Sequence, residues 1–256
     1  MSDGVVHLAT TDGIASVLFD RPDARNAMTM AMYDQLTAAC AAIAGDPDVR
    51  VAIFQGAGDA FAAGTDIREF LTFASAKDGI AYEQRIDTVI TSIEKLPVPT
   101  IAVVQGVAMG GGLLIATACD FRIATPTARF GVPIARTLGN CLSMASTARL
   151  VAALGPTVCK RLLLLGDAIS AEEALRYNFV LEIAQPETVD GVVRKLCARL
   201  TSHAPITMRV AKESIRRLAE ALPEGDDLVR AAYASDDFKA GVRAFLAKKQ
   251  PQWNGR

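Results

Sequence analysis

Between Leu96 and Cys119 the chain carries no charged residue, a stretch long enough to cross a lipid bilayer. It does not read as a membrane span, because Pro97, Pro99, Gln105, Gly106 and the run Gly110-Gly111-Gly112 interrupt it. In lipid, those breaks would leave backbone groups without partners. The same residues make sense in a protein interior as a buried strand, a glycine turn and a buried helix. A chain of 256 residues with 51% hydrophobic content has enough material to cover such a segment on both faces.

The pattern on either side agrees. Ile14 to Phe19 is rich in β-formers and stops at Arg21-Pro22. Thr29 is placed to cap a helix whose apolar face is Met32, Leu36, Ala39, Cys40 and Ile43, and Gly45-Asp46-Pro47 ends it. Val51 to Phe54 and Ile101 to Val104 are short continuous apolar runs, as in strands buried on both sides. Past Ser143 apolar residues recur at helical spacing almost to the end, punctuated by Gly155-Pro156, Gly166-Asp167, Pro205 and Pro223. The fold class is therefore α/β with a helical C-terminal part.

Charge and cysteine usage narrow the partners. Lys+Arg 27 against Asp+Glu 28 leaves no basic excess for a phosphate backbone, so nucleic acid is not expected. The small cluster Arg209, Lys212, Arg216 and Arg217 contains Glu213 and reads as an ordinary solvated helix face. Cys40, Cys119, Cys141, Cys159 and Cys197 form no C-x-x-C pair, and His7 and His203 are the only histidines. No metal site, no disulfide framework and a reducing cytoplasmic setting are expected. A mean hydropathy of +0.25 points to apolar surface kept for a subunit interface.

Two glycine turns follow apolar strands: Phe61-Ala62-Ala63-Gly64-Thr65-Asp66-Ile67, and Gly106 to Leu113 with its triplet. Glycines let a ligand approach the main chain, and a helix starting at Gly111 or Gly112 would aim free N–H groups at it. The spacing is neither G-x-G-x-x-G nor a P-loop. These two segments, followed by Cys119-Asp120, resemble those of the crotonase (enoyl-CoA hydratase/isomerase) superfamily. Arg21-Pro22 with Asn26-Ala27, Arg129-Phe130-Gly131, Leu154-Gly155-Pro156 and the terminal Phe245 to Trp253 are similar too, so the likeness runs from about residue 5 to the C-terminus.

The resemblance implies a ββα-spiral core over residues 1–196 and a C-terminal helical region over 197–256 that takes part in trimerisation, with a homotrimer or hexamer as the assembly. It implies an acyl-CoA thioester as substrate, coenzyme A being part of the substrate and no separate cofactor being required. The thioester oxygen would sit between the backbone N–H groups of Thr65 and Gly111. Ala24, Arg25, Ala63, Asp66, Ile67 and Gly110 would line the CoA site, and Phe245 and Lys248 would reach its nucleotide end, from this subunit or a neighbour. Family hydratases carry two glutamates at the positions occupied here by Leu114 and Ile134, and Asp120 is the only carboxylate between Lys95 and Gly166.

Aliphatic groups at 114 and 134 move no protons, so hydration by the two-glutamate route is not expected. Decarboxylation, isomerisation and thioester hydrolysis stay open, with a non-catalytic acyl-CoA-binding or assembly subunit as the alternative. Arg136, Thr137, Asn140, Cys141 and Ser143 are the polar groups near that loop. Arg136 is expected in solvent, Cys141 as an inert thiol, and Asp66 as a helix cap rather than an acid.

Overall fold

A computed structural model of the chain describes residues 3–218 and 226–252; Pro223 and Trp253 lie outside them. Along the chain run β1 (Val5–Thr11), β2 (Ile14–Asp20), α1 (Met30–Gly45), β3 (Val51–Gly56), α2 (Ala76–Glu94), β4 (Thr100–Val104), β5 (Val107–Met109) and α3 (Gly111–Ala118). They are followed by β6 (Phe121–Ala124), β7 (Arg129–Gly131), α4 (Ile134–Thr137), α5 (Met144–Lys160), β8 (Ala168–Ser170), α6 (Ala171–Arg176), β9 (Glu182–Ile183) and α7 (Val189–Thr201). The last three elements are α8 (Pro205–Leu218), α9 (Asp226–Tyr233) and α10 (Asp236–Leu246).

The local signals act as expected. Thr29 Oγ1 accepts from Met32 N at 3.2 Å and starts α1, and the uncharged 96–119 stretch divides into β4, β5 and α3. No described helix is long and apolar enough to cross a membrane. The strands order as β1-β2-β3-β4-β6-β9, parallel except for the β1/β2 hairpin, beside a small β5-β7-β8 sheet. One core cluster fills the space under α1, α2 and α3, and a second lies on the other sheet face, where Val189, Val193, Cys197 and Leu200 of α7 cover Val51, Ile101 and Ile123. Helix α7 runs unbroken through residue 196, the expected division between core and C-terminal region.

One feature departs from the helical reading of the second half. β8 and β9 interrupt it, pairing with β7 and β6; strands of two or three residues are too short to show a period. The punctuation at Gly155-Pro156 is as expected: Gly155 takes φ 75° and ψ 159°, which is not helical, so two helical stretches meet at a kink within α5. The C-terminal helices also divide. Helix α8 leaves Ile206, Val210, Ile215 and Leu218 exposed, whereas α9 and α10 fold back over the chain's own core. There Tyr233, Phe238, Val229 and Val242 pack with Phe70, Tyr82 and Leu138.

Candidate active site

The two glycine loops meet. Ala62 N donates to Val107 O and Met109 N to Ala62 O, both at 3.0 Å, and the 61–67 loop is tied on its other side by Met28 N to Gly64 O (2.7 Å) and Asp66 N to Met28 O (2.8 Å). These bonds use the groups flanking Thr65 and leave its own N–H over. Gly110 N donates to Gly131 O, and Gly110 takes φ 48°, which presents the first turn of α3. Among the described residues neither the Thr65 nor the Gly111 amide has an acceptor. A Cβ on Gly64 would stand 3.9 Å from Gly111 N, so the two free donors belong to adjoining backbone segments at a helix N-terminus.

Three hydroxyls underlie this pair. Thr65 Oγ1 lies 2.9 Å from Tyr33 Oη and 2.6 Å from Tyr82 Oη. Burial pushes the Tyr33 phenol well above its ordinary pKa, so it stays protonated. Position 111 has room only for glycine, because a Cβ there would collide with the Tyr33 hydroxyl.

A cavity of about 1050 Å³ opens over the amides, and all twelve residues singled out from the sequence line it: Ala24, Arg25, Ala63, Thr65, Asp66, Ile67, Gly110, Gly111, Leu114, Ile134, Phe245 and Lys248. Phe245 and Lys248 come from this chain's own C-terminal segment. The cavity has two unlike ends. Its rim carries the exposed cations Arg25, Arg136, Lys248 and Lys249, which have no ion-pair partner among the described residues. Its floor is Tyr82, Glu83, Ile86 and Leu114, and Leu114 is fully buried where an acid was absent.

Several candidates have other work. Asp66 accepts from Arg68 N at 3.0 Å, capping the turn Ile67–Thr72, and is held by Arg21 at 2.8 Å and Arg68 at 2.6 Å. Although burial opposes it, those bonds keep its carboxyl well below the ordinary range, so it does not exchange protons near neutrality. Glu69 accepts from Met30 N at the start of α1. Burial pushes the Cys141 thiol up to about 12, so it is no nucleophile. Of the basic cluster on α8, Lys212 pairs with Asp120, and Arg216 and Arg217 with Glu213. No group of three metal-ligating side chains occurs among the described residues.

The residue that sequence reasoning missed is Glu83. It lies upstream of the Lys95–Gly166 stretch, whose only carboxylate is Asp120, and only 3% of it is exposed. Its Oε1 accepts from Tyr233 Oη at 2.7 Å and its Oε2 from Ser143 N at 2.8 Å. Burial pushes the carboxyl up to about 7, with Asp87 adding to the rise, while the Tyr233 and Ser143 bonds hold it down. A signal was present: Glu83, Ile86, Ile90 and Ile93 share the buried face of α2, where an unpaired acid is out of place. Gly79, one turn earlier, is the second sign, since a Cβ there would run into the Tyr233 ring.

Residues 9–256 match the family model for enoyl-CoA hydratase/isomerase, and the chain belongs to that family of acyl-CoA enzymes. It is 34% identical to the crotonyl-CoA hydratase of Syntrophomonas wolfei subsp. wolfei over 95% of both chains. It is 31% identical to the (E)-benzylidenesuccinyl-CoA hydratase of Thauera aromatica over 98% of this chain and 99% of that one. Its fold superposes with a TM-score of 0.90 on methylmalonyl-CoA decarboxylase in complex with 2-nitronate-propionyl-CoA, at 26% identity over 98% of this chain and 99% of that one.

Proposed function

We propose that the cavity binds an acyl-CoA thioester with the nucleotide at the cationic rim and the acyl group on the floor, and that the Thr65 and Gly111 amides hold the thioester oxygen as it becomes an enolate. The observation that carries this reading is the adjoining pair of free amides facing one cavity. Preorganised donors of this kind are worth about 10²–10³ in rate each. Arg25, Lys248 and Lys249 supply point charges suited to phosphates, and Ile67, Ile86 and Leu114 an apolar seat for the chain.

Hydration by two glutamates does not fit this reading, because Leu114 and Ile134, the positions to which the resemblance assigns those acids, carry no ionisable group. Isomerisation, decarboxylation and hydrolysis all place charge on the held oxygen and fit the amides. The aliphatic wall by itself favours a second reading, a binding subunit without turnover. One assay separates these: dissociation constants and turnover for crotonyl-, 3-butenoyl-, methylmalonyl- and acetyl-CoA. Turnover of any ester but slow hydration of crotonyl-CoA supports the proposal. Hydration at the rate of an ordinary hydratase defeats it, and tight binding without turnover favours the second reading. The exposed apolar face of α8 is the proposed self-association surface, checked by sedimentation equilibrium.

A further inference from the structure

Glu83 sits where three helices converge: its own α2, the N-terminus of α5 and the C-terminal α9. Ser143 caps α5, accepting from Ser146 N at 3.0 Å and donating to Asp87 Oδ1 at 2.9 Å, while Asp87 also pairs with Arg149. The neighbouring acid therefore has a cation, whereas Glu83 has no ion-pair partner among the described residues. Each of its oxygens receives one donor, which leaves each a lone pair. A tie between helices needs no ionisable group, since a glutamine could accept from Ser143 N with its oxygen and, with the second bond reversed, donate to Tyr233 Oη with its amide. The acid instead lines the cavity beside Tyr82, Leu114 and Leu142.

We propose that Glu83 is the catalytic acid/base of this site, taking a proton from the carbon next to the thioester carbonyl and returning it, and that Tyr233 is its positioning residue. In that step the C–H pair becomes the enolate double bond, and the carbonyl π pair moves onto the oxygen held by Thr65 and Gly111. Reversal restores the C–H bond. With a 3-enoyl chain the pair flows on to the γ-carbon, which takes the same proton, giving the 2-enoyl ester. No oxidant or co-reactant is consumed. The proposal rests on the oxyanion reading above. A carboxyl half-titrated near pH 7 supplies both protonation states at neutrality. The titratable and charged groups around it are Asp87 with its Arg149, Tyr82, Tyr33, Cys141 and Tyr233.

The experiment uses butyryl-CoA and 3-butenoyl-CoA in D₂O with the full-length chain, E83Q and Y233F. It reads deuterium at the α-carbon by mass spectrometry, and ester affinity by calorimetry. The expected result is exchange by the unaltered chain, a fall of about 10²-fold or more in E83Q, and affinities within about threefold. Y233F keeps exchange but moves the midpoint of its pH profile upward, because a donor to the carboxylate is lost. It leaves the acid in place and so carries the test if E83Q does not fold. Binding without exchange, or full exchange by E83Q, overturns the role of Glu83 alone. An unmoved profile in Y233F overturns that of Tyr233 and, where E83Q does not fold, that of Glu83 as well, since the group titrating in the exchange would then not be the one Tyr233 holds. Absence of binding removes the oxyanion reading and this role with it.

Discussion

Two stretches of the cavity lining differ: α3 and α4 contribute Leu114 and Ile134, and α2 contributes Tyr82, Glu83 and Ile86. The first is built from an eight-residue and a four-residue helix and adjoins backbone amides left over where the loops meet. The second belongs to a nineteen-residue helix and owes its chemistry to a side chain buried by α9. The contrast teaches that backbone donors and a buried acid can be supplied to one cavity by separate elements. The Thr65 and Gly111 amides are left unpartnered beside a lining with no acid at 114 or 134, and the acid on α2 acquires a neutral-range pKa from burial.

The comparison breaks most decisively at Gly111. G111A drives a methyl into the Tyr33 hydroxyl and displaces the Thr65 pair, so turnover of any accepted ester should fall about 10²–10³-fold, the cost of one oxyanion donor, read in steady-state kcat. An unchanged kcat would detach the amides from catalysis.

The α2 side chain is tested by pH. Glu83 keeps its proton to about pH 7 in the fold against an ordinary 4.5, so between those values the folded chain binds a proton that the unfolded chain has released. Its stabilising contribution is complete below 4.5 and is lost as pH rises to about 7, a change on the order of 3 kcal/mol. Urea unfolding of the unaltered chain and E83Q across that window should diverge by that amount. Parallel curves would place the titration elsewhere.

G79A sharpens the role of α9. Alanine normally stabilises a helix interior, but here its methyl strikes the Tyr233 ring, so stability should drop by about 1–3 kcal/mol in urea unfolding. A gain in stability would mean that α9 is not seated on α2. The smallest effect is expected at the rim. K248A and K249A should each raise KM about two- to fivefold, less at high salt, because exposed charges are worth little. A larger or salt-insensitive change would move these lysines into direct contact with the reacting group.

Much of this molecule was legible beforehand. Thr29, Asp66 and Gly111 act within one helical turn of their own positions, and the β3 and β4 runs announce themselves by composition. The cavity lining was reached through the family likeness of two loops. Glu83 was not, because nothing within a few residues of it signals a ligand; its partners Ser143 and Tyr233 stand 60 and 150 residues away.

By itself, then, the sequence determined the α/β order of elements, the two glycine loops and the loss of acids at 114 and 134. Propensity, capping and steric permissiveness act over a few residues and can be read in place. Only the tertiary structure decided which amides lose their partners, that Phe245 and Lys248 reach the chain's own cavity, and that Glu83 is dehydrated. Burial and pairing depend on segments far apart in the chain, and a carboxyl's proton affinity follows from what surrounds it, not from its neighbours in sequence.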